Sequence, residues 1–278
     1  MAGNDGNDGN DGNDGNSGLA GGGWAFNDRV DLPFLTEPGV KEQFLGRTSF
    51  GDRNWSAYYA AWLIVIDFSQ TNWKSRITML PPSAPQSDET KEEIRRLQTM
   101  MLDERPDALG EIFAQADEFM SYFFQLLGGN QVTHPATFRV LTTVNMVGTF
   151  VAMYFKALHN RPRPSHLCPA LLPPIQVPGH ASYPSGHSTQ AHLFAECLKS
   201  MLPGEQQESA CVVLNALADR IARNREIAGV HYRSDSTAGA RLAHDILQVL
   251  SDESVMPHDP GKPSRFKAAM DRAKSEWA

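Results

Sequence analysis

Residues 183–201 read YPSGHSTQAHLFAECLKSM and join a glycine-containing turn to a helical pattern. The apolar residues that recur at helical spacing are Leu193, Phe194, Cys197, Leu198 and Met201. This spacing predicts a helix that begins at Ser185 and buries its apolar face. Free N–H groups and the positive dipole end at a helix start favour an anion, Gly186 allows close approach, and Ser185 adds a hydroxyl. His187 would then be a titratable ring held beside a bound anion.

The segment before this stretch supplies cations. Thr137–His159 is apolar nearly all round, which predicts a helix at the centre of a bundle. Lys156 lies near the end of that helix, where a lysine commonly only complements the helix dipole. Arg161 and Arg163 follow within the sequence NRPRP (160–164). Because proline fixes φ, we expect both arginines to be held in a fixed direction.

A further buried cation is predicted downstream. Residues from about Ser209 to Ile227 carry the apolar face of a helix, and Arg225 is the next position on that face. A guanidinium does not lose its proton, so on a buried face it needs an anion or several acceptors. Two interpretations stay open: a structural salt bridge to a buried carboxylate, or a bound oxyanion.

His231 and Asp235 stand four residues apart, so on a helical turn they share a face. A carboxylate on one imidazole nitrogen fixes the tautomer and raises the basicity of the other nitrogen. The pair suits a histidine nucleophile or an oxyanion ligand. Metal ligation is the alternative, but it needs further His or carboxylate partners at matching spacing, and the neighbouring sequence lacks them.

Helical patterns continue through the rest of the chain. Further helices are predicted from about Trp55 to Ile66, Ser87 to Met101, Asp107 to Leu127 and Ser236 to Leu250. The first should bury a face made of Tyr58, Tyr59, Trp62, Leu63 and Ile66. The third should bury a stripe that includes Ile112, Phe113, Phe119 and Phe123. No alternating strand pattern longer than a few residues occurs, so the sequence predicts an all-α helical bundle.

Composition divides the chain into three regions. Residues 1–23 contain a Gly-Asn-Asp repeat that offers nothing to bury and should form a disordered tail. Residues 24–256 should form one helical domain, which begins with an irregular segment up to Arg53. Residues 257–278 turn polar and basic with little to bury, which predicts a loosely docked C-terminal tail.

The charge and hydropathy of the chain restrict its partners. A net charge of -7 and a pI near 5.7 argue against nucleic-acid binding, which normally needs a basic surface. A mean hydropathy of -0.37, with no uninterrupted apolar run of membrane length, predicts a soluble protein with no integral membrane span. No basic-then-apolar pattern opens the given sequence, so we expect no signal sequence. Cys168, Cys197 and Cys211 lack C-x-x-C spacing, so we expect free thiols and a cytoplasmic location; a periplasmic or secreted location stays open, as does a homo-oligomer.

Three motifs therefore stand in order along the chain. They are Lys156 through Arg163-Pro164, Pro184-Ser185-Gly186-His187, and Arg225 through His231 to Asp235. In order and internal spacing they closely resemble the superfamily that unites type 2 phosphatidic acid phosphatases, bacterial class A acid phosphatases and vanadium-dependent haloperoxidases. The resemblance covers Lys156 to Asp235. In the N-terminal part it extends only to the type of secondary structure, which is helical. Asn224 departs from it, since many members have serine there, and this affects fine positioning rather than chemistry.

The resemblance implies a helical bundle of the acid phosphatase type and a phosphate cage. The cage residues would be Lys156, Arg163, Ser185, Gly186 and Arg225. His231, oriented by Asp235, would attack phosphorus and form a phosphohistidine. His187 would protonate the leaving alcohol and then activate water. Neither a metal nor a cofactor is required, and the substrate would be a small phosphoester, hydrolysed as in an acid phosphatase.

Two other functions remain open. The same cage binds vanadate in the haloperoxidases, where His231 would be the vanadate ligand and His187 would act on peroxide. His180, seven residues before His187, matches the vanadium bromoperoxidases, or it is a loop residue at the rim of the site. The short connection from Arg163 to Pro184 favours the phosphatase. A non-catalytic phosphate- or phospholipid-binding module is disfavoured because both histidines and Asp235 are present.

Overall fold

The structure is a computed structural model that describes residues 49–278, apart from the side chains of residues 53, 205 and 206. The predicted disordered tail, residues 1–23, and most of the irregular segment 24–53 lie outside the described residues. By internal contacts the chain divides into two units, Met1–Ala60 and Ala61–Ala278. The described part of the first unit holds a short 3-10 turn and the first residues of a helix.

The described chain is built from α-helices. They are α1 (Ala57–Ser69), α2 (Trp73–Arg76), α3 (Asp88–Asp103), α4 (Arg105–Asp117), α5 (Met120–Leu126), α6 (Pro135–His159), α7 (Pro164–Leu167), α8 (Gly186–Met201), α9 (Gly204–Ile227), α10 (Arg233–Ser251) and α11 (Arg265–Lys274). Two 3-10 turns, Asp52–Asn54 and Pro169–Leu171, complete the regular structure. No strand occurs between residues 49 and 278, so the predicted all-α class is confirmed.

Helix α8 lies at the centre of the larger unit and packs against α6, α9 and α10. All five apolar residues that the sequence placed on its inner face, from Leu193 to Met201, are buried. Helix α6 adds Val140, Leu141, Val144, Val147 and Val151 to the same core. Burial of each such side chain contributes roughly 1.5–3 kcal/mol before the entropy cost of ordering the chain. The hydrophobic pattern therefore decides which helices surround the site.

The N-terminal ends of α8 and α10 approach closely at Gly239. A Cβ at this position would lie 2.6 Å from the carbonyl oxygen of Ser185 and 2.8 Å from the Cβ of Ser188. The backbone N–H of Ser185 donates to the carbonyl oxygen of Asp235 at 3.0 Å. The hydroxyl of Ser188 donates to the carbonyl oxygen of Ser236 at 2.7 Å. Two of the three motifs are thus joined directly, and only glycine fits between them.

The predicted inner face of α1 is wrong. Trp62 and Ile66 are 44% and 49% exposed, whereas Ile64, Val65 and Phe68 are buried. The helix sequence AYYAAWLIVIDFS is apolar on more than one side, so periodicity does not select the side that faces the core. The side that carries Ile64, Val65 and Phe68 enters the core, and the side that carries Tyr59, Trp62 and Ile66 is exposed.

The predicted helix from Asp107 to Leu127 is two helices. Glu118 leaves the helix with φ -142° and ψ 124°. Its carboxylate accepts hydrogen bonds from the backbone N–H and the hydroxyl of Ser121, at 2.9 and 2.5 Å, and so caps the start of α5. The break turns Phe119 onto the ring of His187, with the ring centroids 5.2 Å apart.

The segment 257–278 differs from the loosely docked tail that the sequence predicts. Four side chains of α11 are buried, namely Phe266, Ala269, Met270 and Ala273. The carboxylate of Glu276 accepts hydrogen bonds from the backbone N–H groups of Ala136 and Thr137, at 2.7 and 2.8 Å, at the start of α6. These partners lie about 140 positions apart in sequence, so no local pattern reveals the contact.

One helical stretch, Pro135–Leu167, is long and apolar enough to cross a membrane by length and composition. Within this fold, 50% of its most apolar window is buried. A core helix of a soluble protein has the same properties. The expected absence of a membrane span therefore stays a prediction.

Candidate active site

Backbone hydrogen bonds bring the three motifs together. The N–H of Ser182 donates to the carbonyl oxygen of Arg161 at 2.9 Å, which joins the loop after α6 to the loop before α8. Ser185 is joined to Asp235 as described above. The ends of α6, α8 and α10 therefore lie together, and Arg225, near the C-terminal end of α9, and His231, in the loop after α9, line a cavity with His187 of α8.

His231 and Asp235 form the pair that their spacing predicts. Nδ1 of His231 lies 3.0 Å from Oδ2 of Asp235, and both side chains are buried. The carboxylate also accepts hydrogen bonds from the hydroxyl of Ser182 and, at 3.1 Å, from the backbone N–H of Tyr232. Burial raises the pKa of Asp235, but the hydrogen bond from His231 and the charge of Arg161 outweigh it and lower that pKa to about 2. Asp235 is therefore an anion that holds a proton on Nδ1 of the imidazole.

Arg163 lies on the other side of the imidazole. Its Nη1 is 3.3 Å from Nε2 of His231, and because a guanidinium only donates, this nitrogen carries the lone pair. Burial lowers the pKa of His231 well below its ordinary value, so the ring is neutral. Arg163 is held by the carbonyl oxygens of His180 and Val230, at 3.0 and 2.8 Å, and burial lowers its pKa to about 10. The result is a neutral imidazole with Nε2 as its basic atom.

Arg225 is buried with most of its hydrogen-bonding capacity unused. The residue is only 1% exposed. Its Nη2 donates to the carbonyl oxygen of Ile112 at 2.7 Å. Nε and Nη1 are buried without a hydrogen-bond partner among the described residues. Burial lowers the pKa of Arg225 to about 10, and Asp117 raises it only from a distance. Unpaired donors of this kind cost about 1–3 kcal/mol each, which a bound anion would recover.

His187 is fixed by the end of α4. Its Nε2 lies 3.0 Å from the carbonyl oxygen of Gln115 and 3.2 Å from that of Ala116. Since carbonyl oxygens only accept, Nε2 carries a proton, and Nδ1 is the basic atom of the neutral ring. Burial and the charge of Arg225 lower the pKa of His187 to about 3. An anion bound at Arg225 would reduce that repulsion and raise the pKa.

His187, Arg225 and His231 line one cavity of about 470 Å³. Its walls are largely apolar and are formed by Phe113, Ala116, Pro174, Ile175, Pro178 and Val230, with Asp117 and Gln176 as polar members. Phe113, which the sequence placed on a buried stripe, is 52% exposed and faces this space. The cavity combines an unsatisfied cation, a basic imidazole nitrogen and room for an apolar group.

Lys156 does not reach this cavity. Its Nζ donates to the carbonyl oxygens of Ala181, Ser182 and Pro184, at 2.9, 3.0 and 2.6 Å. These three bonds use all three protons of the ammonium group. Burial and the charge of Arg163 lower the pKa of Lys156 to about 7. The lysine thus fixes the loop before α8 instead of presenting a proton to an anion.

Ser185 and Gly186 occupy the predicted helix start. The hydroxyl oxygen of Ser185 accepts from the backbone N–H of Ser188 at 3.3 Å, which makes it the N-cap of α8. A Cβ built on Gly186 would have no atom within 4 Å, so the backbone here borders open space. Neither residue lines the cavity described above.

His180 lies at a neighbouring cavity. Its Nδ1 is 3.1 Å from Nη2 of Arg163, and it lines a space with Arg163, His166 and Pro178. Pro178 also lines the cavity of His231, so the two spaces share a wall. His180 is therefore a neighbour of the site through Arg163, close to the rim position that the sequence suggested.

The sequence analysis did not identify two residues that support the site, Ser182 and Glu93. Ser182, which donates to Asp235, lies outside the three motifs that the sequence analysis identified. Glu93, on α3, reaches the first turn of α10 and has no sequence signal at all.

Asn224 donates to the side chain of Gln115 at 2.8 Å, so the residue that departs from the family pattern supports the helix end that holds His187. Among residues 49–278, no group of three or more His, Cys, Asp or Glu side chains lies together as for a metal ion.

Comparisons with known proteins agree with the motifs. Residues 137–249 match the model of the PAP2 superfamily, a span that includes all three motifs, so the predicted resemblance is confirmed. The vanadium-dependent bromoperoxidase of Ascophyllum nodosum is 29% identical over 110 residues, which covers 28% of this chain and 20% of that protein. The chain thus spans a fifth of that relative. The transmembrane PAP2 type phosphatidylglycerolphosphate phosphatase of Bacillus subtilis superposes with a TM-score of 0.45 at 16% identity, covering 68% of this chain and 91% of that one.

Proposed function

We propose, from the premise that residues 137–249 belong to the PAP2 superfamily, that this protein is a metal-independent phosphomonoesterase with a phosphohistidine intermediate. The cavity carries the proposal. It contains a buried guanidinium, Arg225, with two unsatisfied donors, together with the lone pair on Nε2 of His231. A phosphate group supplies oxygens for the first and an electrophilic phosphorus for the second.

In the first step the lone pair on Nε2 of His231 attacks phosphorus, and the bond from phosphorus to the ester oxygen breaks. The proton on Nδ1 stays in place, and the buried Asp235 stabilises the cationic ring that forms. Arg225 and Arg163 stabilise the charge on the equatorial oxygens. The leaving oxygen takes a proton from Nδ1 of His187, a proton that His187 holds only after the bound phosphate has raised its pKa from about 3.

In the second step Nδ1 of His187, now neutral, removes a proton from water. The water oxygen attacks phosphorus, the P–N bond breaks, and its electron pair returns to Nε2 of His231. Orthophosphate leaves and both rings regain their starting protons. The apolar walls, among them Phe113 and Ile175, would surround the leaving group.

Lys156 keeps a role in this proposal, although it differs from the direct contact that the resemblance implies. It would act through the three carbonyl groups that it binds, which place Ser185 and Gly186 at the start of α8. The helix N-terminus beside Gly186 then adds its partial positive charge to the site. Ser185 would hold that turn as its N-cap.

The nucleophile is tested by His231→Ala. We expect kcat for an aryl phosphate to fall by roughly a thousandfold or more, because no other group replaces the attacking nitrogen. His244→Ala is the matched control, since His244 is an exposed histidine of α10 that bonds only Gln248. Rapid denaturation of the wild type at alkaline pH with a labelled substrate should trap a phosphoprotein that is stable to alkali and loses its label in acid. Retained turnover in His231→Ala would remove the nucleophile assignment.

A vanadium-dependent haloperoxidase is the second candidate, and the bromoperoxidase relative favours it. The residues fit an oxyanion of this shape, since Nε2 of His231 could ligate vanadium while Arg225 and Arg163 bind its oxygens. Bound vanadate would supply halide oxidation by peroxide. Vanadate-dependent bromination of a dye by the protein, with no hydrolysis of aryl phosphates, would replace our first choice. Binding of phosphate with neither activity would indicate the non-catalytic module.

We also propose that the protein is soluble. The helix long enough to span a membrane packs one face against α8 and α11, with Val140, Val144 and Val151 inside the core. After cell lysis without detergent, the protein should stay in the supernatant of a high-speed spin. Recovery in a pellet that resists alkaline carbonate would instead place it in the membrane.

A further inference from the structure

Arg161 lies behind the reaction cavity and contacts Asp235 from the side opposite His231. Its Nη1 donates to Oδ1 of Asp235 and to the hydroxyl oxygen of Ser234, both at 2.7 Å. Its guanidinium carbon stands 3.8 Å from the centroid of the Tyr232 ring, at the geometry of a cation–π contact. Arg161 is thus held by a carboxylate, a hydroxyl and an aromatic face.

Glu93 on α3 completes this arrangement. Its Oε2 accepts from Nη2 of Arg161 and from the hydroxyl of Ser234, both at 2.9 Å. Its Oε1 accepts from the backbone N–H of Ser234 at 2.7 Å. The side chain of Glu93 is only 16% exposed and that of Arg161 only 2%. A carboxylate from outside the matched region 137–249 therefore ends a chain of contacts that leads to His231.

We propose that Glu93 is a positioning residue for the histidine chemistry: through Arg161 it fixes the carboxylate of Asp235 in the plane that orients His231. The inference rests on the proposed function, because the orientation of this ring affects turnover only if the ring reacts. Glu93 touches neither the cavity nor the anion site.

The two oxygens of Asp235 show why the outer contact matters. Oδ2 binds His231, Ser182 and the backbone of Tyr232, and Oδ1 binds Arg161. Rotation of the carboxylate about its Cβ–Cγ bond would move Oδ2 away from Nδ1 of the imidazole. The short contact to Arg161 opposes that rotation, provided that the guanidinium itself does not turn.

Glu93 is what stops the guanidinium from turning. Without the Glu93 carboxylate, Nη2 of Arg161 loses its acceptor, and the backbone N–H of Ser234 loses one as well. A guanidinium binds two acceptors in a fixed fork, so it holds its plane only when both edges are bound. Loss of the partners behind metal-ligating histidines typically costs about ten- to a hundredfold in activity, and we expect an effect of the same order for a reactive histidine held in the same way.

The first experiment compares Glu93→Gln with Glu92→Gln. Glu92 is the preceding residue of α3, is exposed, and pairs only with Arg95 and Arg96. For an aryl phosphate we expect Glu93→Gln to lower kcat about tenfold or more, with KM and inhibition by orthophosphate within about twofold of wild type. Glu92→Gln should match the wild type in every parameter. Unchanged kcat in Glu93→Gln overturns the inference.

The second experiment reads the imidazole directly and does not need activity. In protein labelled with nitrogen-15 histidine, the ring of His231, assigned by its loss in His231→Ala, should show one protonated and one unprotonated nitrogen. In Glu93→Gln we expect the two shifts to approach each other, because the tautomers mix when Asp235 is free to rotate. Shifts identical to those of the wild type would contradict a positioning role, whatever the activity.

Ser234→Ala separates positioning from simple stability. It removes the hydroxyl between Glu93 and Arg161 and leaves both charges in place. A smaller fall in kcat at unchanged melting temperature, with non-additive effects in the double variant with Glu93→Gln, supports the inference. Parallel loss of kcat and melting temperature in both variants would indicate a structural role only. If the wild type and Glu92→Gln hydrolyse no phosphoester, the proposed function fails and the nitrogen-15 result still decides this inference.

Discussion

Two buried arginines, Arg161 behind Asp235 and Arg225 at the cavity, show different ways of keeping a charge inside the protein. Arg161 is bound by the carboxylates of Glu93 and Asp235, which outweigh the effect of burial and raise its pKa. Arg225 has no such partner among the described residues, and burial lowers its pKa to about 10. Burial alone therefore does not distinguish these two arginines, whereas the unsatisfied donors of Arg225 do.

The same comparison separates the other cations of the predicted cage. Lys156 belongs with Arg161, because three carbonyl oxygens use all of its protons. Arg163 is intermediate, since it binds two carbonyl oxygens and also contacts Nε2 of His231. One region, which includes Asp235, Arg161 and Lys156, thus holds the imidazole with side chains whose hydrogen bonds are satisfied. The second region is Arg225, whose unsatisfied donors face the cavity. We expect substitutions in the first region to lower stability together with activity, and substitutions in the second to lower activity alone.

The largest effect should come from Arg225→Met. Because Arg225 supplies the unsatisfied donors, we expect kcat/KM for an aryl phosphate to fall by about a thousandfold. Stability should stay within about 1 kcal/mol of wild type, since a buried charge without partners is removed and only one bond, to Ile112, is lost. The measurements are steady-state kinetics and urea unfolding.

Arg223→Met is the control for that substitution. Arg223 lies two positions earlier on α9 and makes an exposed ion pair with Glu104. Activity should be unaffected there. A loss of stability in Arg225→Met as large as its loss of transition-state binding would mean that Arg225 is structural, and the contrast between the two regions would disappear.

The second-largest effect should come from Arg161→Met, which, unlike Arg225→Met, should lower the stability of the fold. This change leaves the carboxylates of Glu93 and Asp235 buried without their cation, so we expect the free energy of unfolding to drop by about 3 kcal/mol. Activity should fall as well, because Asp235 loses the contact to Oδ1. Urea unfolding at neutral pH measures the drop. Unchanged stability would show that the ion pairs contribute nothing to the fold.

Much of the fold and part of the site could be predicted from the sequence. Helical periodicity is local, so α3, α6 and α8 appear close to their observed bounds. The pairing of His231 with Asp235 is predicted from a spacing of four, and the burial of Arg225 from its place at the end of a buried face. These features depend on neighbours within one or two helical turns.

The features that escaped prediction depend on distant parts of the chain. The turn of Lys156 onto carbonyl groups requires the path of residues 181–184, which no periodicity specifies. Glu93 reaches Ser234 across 141 positions. Phe113 fits a buried stripe by spacing, but it is 52% exposed and lines the cavity. Long-range contacts and the location of empty space are therefore what the sequence alone does not reveal.

The smallest expected effect is on the pH dependence of stability, in which His187 in the cavity and Asp235 behind the imidazole should differ. The pKa of His187 is lowered from 6.5 to about 3, so the unfolded chain takes up this proton first as the pH falls. Its contribution to stability is complete above pH 6.5 and is lost progressively towards pH 3. The pKa of Asp235 is lowered from 3.8 to about 2, so its contribution is complete above pH 3.8 and is lost only below that value.

His187→Gln should therefore reduce the loss of stability between pH 7 and pH 5 by about 1–2 kcal/mol and leave the loss below pH 3, which comes from Asp235, unchanged. Urea unfolding of both proteins across this range measures the two slopes. The amide of glutamine still donates to the carbonyl oxygens of Gln115 and Ala116, so the end of α4 keeps a partner. Equal slopes between pH 7 and pH 5 would mean that the cavity does not suppress protonation of His187. The unsatisfied charge of Arg225 would then be too far from the ring to control it, and the acid–base assignment would lose its physical basis.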